Sequence, residues 1–413
     1  MKLVKKILAS AMTVAVAAGS FAAMPAGAAS GGVENNAVLR VWVPESEVKL
    51  TKTLCNSFVN KYKSKNISVK VSAKDVSEAS IYLISDANEA ADVMSVASDQ
   101  IASLVNVGVI SPIAKTYASK AKKANSKTSV KAFTVNKTLY AHPKSVSGYC
   151  LVYDKKVVSA KKAKSLESVL EACKKKGKSF IMDAENGYYS SMFLFTGGLK
   201  LNGLKSDGVT QEFTKYNKKT VVNTLKAFSK LFHKYSSVFK KMDVYNIASQ
   251  FASGKCGAGI DGIWNYSANK AHLGKRFGAA KLPTIKVGSS KKQICSLLGY
   301  DCNVVNTGSD YPQAAQALAA YLSDKNSQKK LVASLKIAPT NKSLAKSKAV
   351  KKNPMLKALT DQQKCSVAQI SITNTFWEPV GALGSKIVSK KTNPNTYNFT
   401  KLLNNTIKRI KYY

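Results

Sequence analysis

Apolar and polar positions along the chain alternate between two rhythms. Val38 to Val43 is a short β-like run, and Pro44-Glu45-Ser46-Glu47 then opens an amphipathic helical pattern that continues through Tyr62. Ile67 to Val71 reads as the next strand and Asp92 to Ala97 as another, with Ser98-Asp99 placed to cap the helix that follows. Tyr140 to Tyr153 is a long extended segment, helices and strands alternate from Lys161 to about Pro283, and Ile294 to Val305 is extended again. An Ala- and Leu-rich helix pair spans Tyr311 to Leu335. Ile337-Ala338-Pro339-Thr340-Asn341 breaks it, and the remainder is mostly helical. Strand–helix–strand alternation of this kind predicts an open α/β sheet, whose ligands sit beyond the carboxyl ends of the strands. Extended crossovers near Val146, Lys281 and Ile337 predict two lobes joined by several strands.

A length of 413 residues exceeds what a single core usually supports, which agrees with two lobes. The formal net charge of +41 predicts attraction to anionic partners. Only Arg40, Arg276 and Arg409 are arginines, however, and the lysines are dispersed in short runs such as Lys174–Lys176, Lys218–Lys219 and Lys351–Lys352. Sequence-specific nucleic-acid sites lean on the planar fork of Arg, so no nucleic-acid partner is expected. The charge describes the whole surface instead of one site.

The first residues read as an address. Lys2, Lys5 and Lys6 precede the apolar stretch Ile7 to Ala23, and Ala26-Gly27-Ala28 supplies small residues for cleavage, so residues 1–28 read as a secretory signal peptide. No Cys follows the cut to carry a lipid; the first is Cys55. The expected product is secreted or extracytoplasmic, at the cell surface or in the wall. The seven cysteines show neither CxxC nor Cys/His ligand spacing, so no metal site is expected. Cys150, Cys256 and Cys295 lie in apolar strand-like stretches and read as buried thiols, a pattern suited to a cell living without oxygen.

Catalytic signatures are absent: there is no P-loop, no GxGxxG opening a helix, no GxSxG and no HExxH. The reading is therefore a protein that is not an enzyme and carries no cofactor. The tryptophans are more informative. Trp42, Trp264 and Trp377 each lie at a strand end or turn, and Tyr188-Tyr189 follows Asn186-Gly187 in a similar setting. Core aromatics would sit inside the periodic segments, whereas these sit at their rims. Flat aromatic faces stack on the C–H patches of sugar rings, while polar neighbours hold the hydroxyls.

At these residues the chain resembles the extracellular solute-binding proteins of ABC importers, in particular the maltose/maltodextrin-binding group, from about Val38 to Ile410. Four segments carry the likeness: Phe251-Ala252-Ser253-Gly254 through Gly262-Ile263-Trp264; Phe376-Trp377; Ala91-Asp92-Val93 through Asp99; and Tyr140-Ala141-His142-Pro143 to Tyr153-Asp154-Lys155. The resemblance implies an α/β fold of periplasmic-binding-protein type, with two α/β lobes joined by a multi-strand hinge and the ligand in the interlobe cleft. It implies an N-terminal lobe of 38–145 plus 285–337 and a C-terminal lobe of 146–284 plus 338–413. It also assigns Trp264, Trp377 and either Tyr188 or Tyr189 to stacking on glucose units, and Asp99 to accepting hydroxyl hydrogens. Val96, Gln100 and Ser147 depart from the group's pattern, and Trp42 with Glu45 and Glu47 is expected to compensate.

The function so implied is capture of maltodextrin-type oligosaccharides by a monomer that delivers them to the transmembrane subunits of an ABC permease. One alternative keeps the fold and changes the solute. Another, of a different class, is a cationic wall-associated structural or adhesion protein. On the first reading the lysine coat holds the protein within an anionic cell-wall polymer.

Overall fold

A computed structural model describes residues 32–205, 210–370 and 372–411. The expected signal peptide lies outside the described residues. Eleven strands carry the architecture: β1 (Val38–Val43), β2 (Ser68–Ala73), β3 (Val93–Ala97), β4 (His142–Asp154), β5 (Ser179–Met182), β6 (Phe239–Lys241), β7 (Cys256–Gly262), β8 (Phe277–Ala280), β9 (Ser296–Val305), β10 (Ala338–Pro339) and β11 (Ser366–Ala368). Their order is β6-β5-β7-β4-β9-β3-β1-β2, with β8 and β10 also on β4 and β11 on β9.

This connected ladder is two sheets that share a strand. β4 pairs antiparallel with β9 from His142 to Gly148, then with β7 and β8 from Tyr149 onward. The change of partner falls at Gly148, where a Cβ would press to 2.6 Å from the Leu359 side chain. In the first lobe β2, β1 and β3 run parallel, and in the second β6, β5 and β7 do. Their sequences show why they lie inside: every residue of β7 is buried. Gly259 in β7 lets that strand lie close to β5, since a Cβ there would sit 2.8 Å from the Ile181 carbonyl oxygen. Helices cover both lobes. The amphipathic helix α1 (Glu45–Lys61) buries Leu54, Cys55 and Phe58 in a core that also holds Leu39, Val41, Ala315 and Leu318.

The expected strands and helices recur within a few residues of their predicted ends, but three details differ. Ser98 does not cap the helix Ile101–Val107; its hydroxyl donates to the carbonyl of Gln369, just after β11, at 2.6 Å. The second crossover is β9 and not the chain near Lys281. Thr284–Val287 and Ser290–Gln293 instead form a hairpin held to the second lobe by Thr284 Oγ1 donating to Lys164 O and Lys286 N donating to Glu167. The hairpin therefore packs with residues 164–167 and is not a crossing strand.

The third difference is Cys295, expected as a free buried thiol. It is disulfide-bonded to Cys365, 70 residues later. The bridge sits one residue before the paired starts of β9 and β11, where Ser296 faces Ser366. Closing a loop of that length restricts the unfolded chain and contributes about 4 kcal/mol in the chain-entropy picture. Cys55, Cys150, Cys173, Cys256 and Cys302 are free and buried. Among the described residues no helix is long and apolar enough to cross a membrane, and no cluster of three or more His, Cys, Asp or Glu is placed to hold a metal ion.

Candidate ligand cleft

The carboxyl ends of the two parallel strand sets converge on one region. β5 ends at Met182, and Asn186 then caps helix α2 (Gly187–Thr196) by accepting the Tyr188 N–H at 2.9 Å. Tyr188 is thereby presented at the helix's first turn, half-buried. β7 ends at Gly262, and the next turn carries Trp264, 37% exposed. The Trp264 ring folds back over Gly262, where any Cβ would collide with it. Its centroid lies 6.0 Å from that of Tyr188, with the planes tilted by 51°.

Trp377 opens helix α3 (Trp377–Val388), edge-on to Phe376 at 5.2 Å. Helices α2 and α3 meet through glycines. A Cβ at Gly187 would strike the Trp377 backbone, one at Gly381 the Glu185 carbonyl, and one at Gly384 the Ser190 side chain. This close approach fixes Tyr188 and Trp377 on one rigid unit.

Asp261, the penultimate residue of β7, holds the Trp264 turn from beneath. It is fully buried and accepts from Gly262 N at 2.7 Å, Asn265 Nδ2 at 2.9 Å and Asn269 Nδ2 at 2.5 Å. Burial pushes its carboxyl up to about 7, against the pull of those three donors.

The first lobe contributes acid. Asp99 follows β3 and is 6% exposed. Burial raises its carboxyl, tempered by the Gln100 and Gln369 amides. Gln100 donates to Oδ2 at 2.8 Å, while Oδ1 is buried and completes no hydrogen bond. The Tyr188 hydroxyl is likewise buried without a completed hydrogen bond. Burial and the neighbouring Tyr149, Asp301 and Asp99 hold that phenol well above its ordinary range, so Tyr188 stands within electrostatic reach of both acids across the lobes.

The sequence-predicted residues divide accordingly. Tyr188 and Trp264 lie side by side, the Trp377 backbone packs against Gly187 next to Tyr188, and the Asp99 charge acts on the Tyr188 phenol. Tyr189 does not join them: at 1% exposure its ring is core, packed 5.1 Å from Tyr149. Glu47 is no free hydroxyl acceptor, because it is 6% exposed and ion-paired to the buried Lys144 at 2.9 Å. Glu45 is exposed on the first turn of α1. Trp42 packs edge-on to Tyr82 at 6.0 Å, with Lys74 Nζ 3.8 Å above the Tyr82 ring. Tyr245, after β6, is 68% exposed, and partial burial with the charges of Asp75, Asp243 and Asp261 raises its phenol. Sequence reasoning missed Lys144, Asp301 and Asp261. Each is a charged residue inside a stretch that otherwise reads as buried strand, and that break in pattern was their signal.

The profile of bacterial extracellular solute-binding proteins matches residues 55–358 of the chain. The chain belongs to that family. Its members are binding proteins, not enzymes, and act outside the cytoplasm. The solute-binding protein is 26% identical over 321 residues to the galactooligosaccharide-binding protein of Bacillus subtilis (strain 168), a match covering 73% of each chain. Its fold is that of the maltodextrin binding protein MalE1 from L. casei BL23, with a TM-score of 0.78 and 24% identity over 92% of this chain and all of that one. The Thermus thermophilus maltotriose binding protein is also similar, with a TM-score of 0.74 and 20% identity over 90% and 99% of the two chains. These structural likenesses agree with the expected α/β architecture of two lobes and crossing strands.

Proposed function

We propose that this chain is the substrate-capturing component of an ABC importer for neutral oligosaccharides, with maltodextrins as the favoured class. The observation that carries the reading is the pairing of an aromatic platform, Tyr188 with Trp264, with the orphaned acceptor of Asp99 from the other lobe. A sugar ring offers both complements: C–H faces for the rings and hydroxyl donors for the acid. Closure of the lobes on that ring then presents a formed surface to the transmembrane subunits. The relatives that bind maltodextrin or maltotriose support the class, and the galactooligosaccharide-binding relative supports a second solute on the same platform.

Calorimetry of the secreted chain against maltose, maltotriose, maltotetraose and a β-galactooligosaccharide, at low and high salt, tests this. The expected result is saturable binding to the maltodextrins, insensitive to salt, with a change in tryptophan fluorescence. Binding to the galactooligosaccharide alone reassigns the solute, and silence towards every sugar refutes the reading.

A further inference from the structure

Near the carboxyl end of β3 lies a charged cluster that the aromatic platform does not explain. Lys144 is 3% exposed in the first half of β4. Its ammonium donates to Glu47 Oε2 at 2.9 Å and to Ser95 Oγ at 2.7 Å. The next residue, Ser145, donates its hydroxyl to Asp301 Oδ2 at 2.9 Å. Asp301 lies in β9, opposite Ser145 on one side and Ala97 on the other. Ala97 ends β3 two residues before Asp99, so the register sets Asp301 beside the same carboxyl end from which Asp99 emerges. Asp301 is half-buried, unlike its flanking residues Tyr300 and Cys302, which are buried.

We propose that Asp301 is a second hydroxyl-accepting carboxylate of the cleft, which with Asp99 reads a pair of hydroxyls on the sugar unit seated against Tyr188. The proposal rests on the carbohydrate reading of the cleft and sharpens it to polyhydroxylated, uncharged units. Two neighbouring acids would repel a uronate or a phosphorylated sugar. Lys144 is the supporting charge: it favours the ionised form of Asp301 against burial and against the repulsion of Glu47 and Asp99. The groups acting on Asp301 thus come from three places in the fold, Lys144 and Ser145 in β4, Glu47 in α1 and Asp99 after β3. Ser145 fixes one of its oxygens and leaves the other for ligand.

The test measures maltotriose affinity by calorimetry from pH 5 to pH 8 for wild type, Asp301→Asn and Asp301→Ala, with circular dichroism to verify folding. Both variants are expected to bind at least tenfold more weakly at pH 7.5. Wild-type affinity should fall as pH drops through about 6, where burial places the Asp301 carboxyl, and that fall should be shallower in Asp301→Asn, which keeps only the Asp99 carboxyl. If wild type binds and both folded variants match it in affinity and pH profile, the role of Asp301 is overturned while the sugar reading stands. If wild type binds no sugar, both fall together. Should Asp301→Ala fail to fold, Asp301→Asn and the wild-type pH profile still decide.

Discussion

Tyr188 and Tyr189 are adjacent in sequence and chemically identical, yet the helix that begins at Gly187 turns one towards the cleft and the other into the core. The difference is a matter of helical phase, about 100° per residue, and no motif spacing reports it. Trp264 and Trp377 stood out in the sequence because they lie at the rims of periodic segments, whereas Asp99 was suggested only by the family resemblance. Lys144 and Asp301 were not legible, because their partner groups lie 97 and 156 residues away in sequence. Two substitutions separate the tyrosines. Tyr188→Ala should weaken sugar binding, whereas Tyr189→Phe should leave affinity unchanged and Tm equal or higher, since the lost hydroxyl is buried without a completed hydrogen bond. Trp264→Ala should cost about 2 kcal/mol, or roughly thirtyfold in Kd, by analogy with aromatic anchors at other interfaces. Equal affinities for wild type and Trp264→Ala would remove the platform from the site.

At the scale of elements, hydrophobic pattern located the strands well but not the crossings. The hairpin Thr284–Gln293 reads as a continuation of the extended chain near Lys281, and only its hydrogen bonds to Lys164 and Glu167 assign it to the second lobe. Within β7 the turn that presents Trp264 depends on Asp261, whose carboxyl is raised to about 7 in the fold from an ordinary value near 3.8. Between those values the folded chain holds a proton that the unfolded chain has released. Stability from this group is therefore fully present below about pH 4 and is lost as pH rises through about 7, by at most about 1.4 kcal/mol per pH unit. Asp301, raised to about 6, acts with the same sign over a narrower window. Thermal melts should show Tm rising from pH 8 towards pH 5, with a shallower slope in Asp261→Asn. A wild-type slope of opposite sign that Asp261→Asn leaves unaltered would contradict the assignment. The asparagine should fold, since its amide can donate to the otherwise unpartnered Asn269 Oδ1.

For the whole molecule, the cleft chemistry and the net charge pull in different directions. The proposed site is acidic and aromatic, while the chain carries +41. Among the described residues six ion pairs engage basic side chains, and many of the remaining lysines are exposed. A diffuse cationic coat suits retention within an anionic wall without occupying the solute site. Washing intact cells with about 0.5 M salt, where the screening length shrinks to a few ångströms, should release the protein. Sugar affinity should change little under the same conditions. Full retention at high salt would show that something other than the coat holds it.

The strand shared between the sheets has a kinetic consequence. β4 finds its first-lobe partner β9 only after some 150 further residues have emerged, as the Ser145–Asp301 pairing shows. The sheet joins strands far apart in sequence and cannot complete early from local contacts. Folding that waits on such distant pairings is slow. For a protein that acts outside the cytoplasm, a topology that postpones these pairings leaves the nascent chain extended for longer.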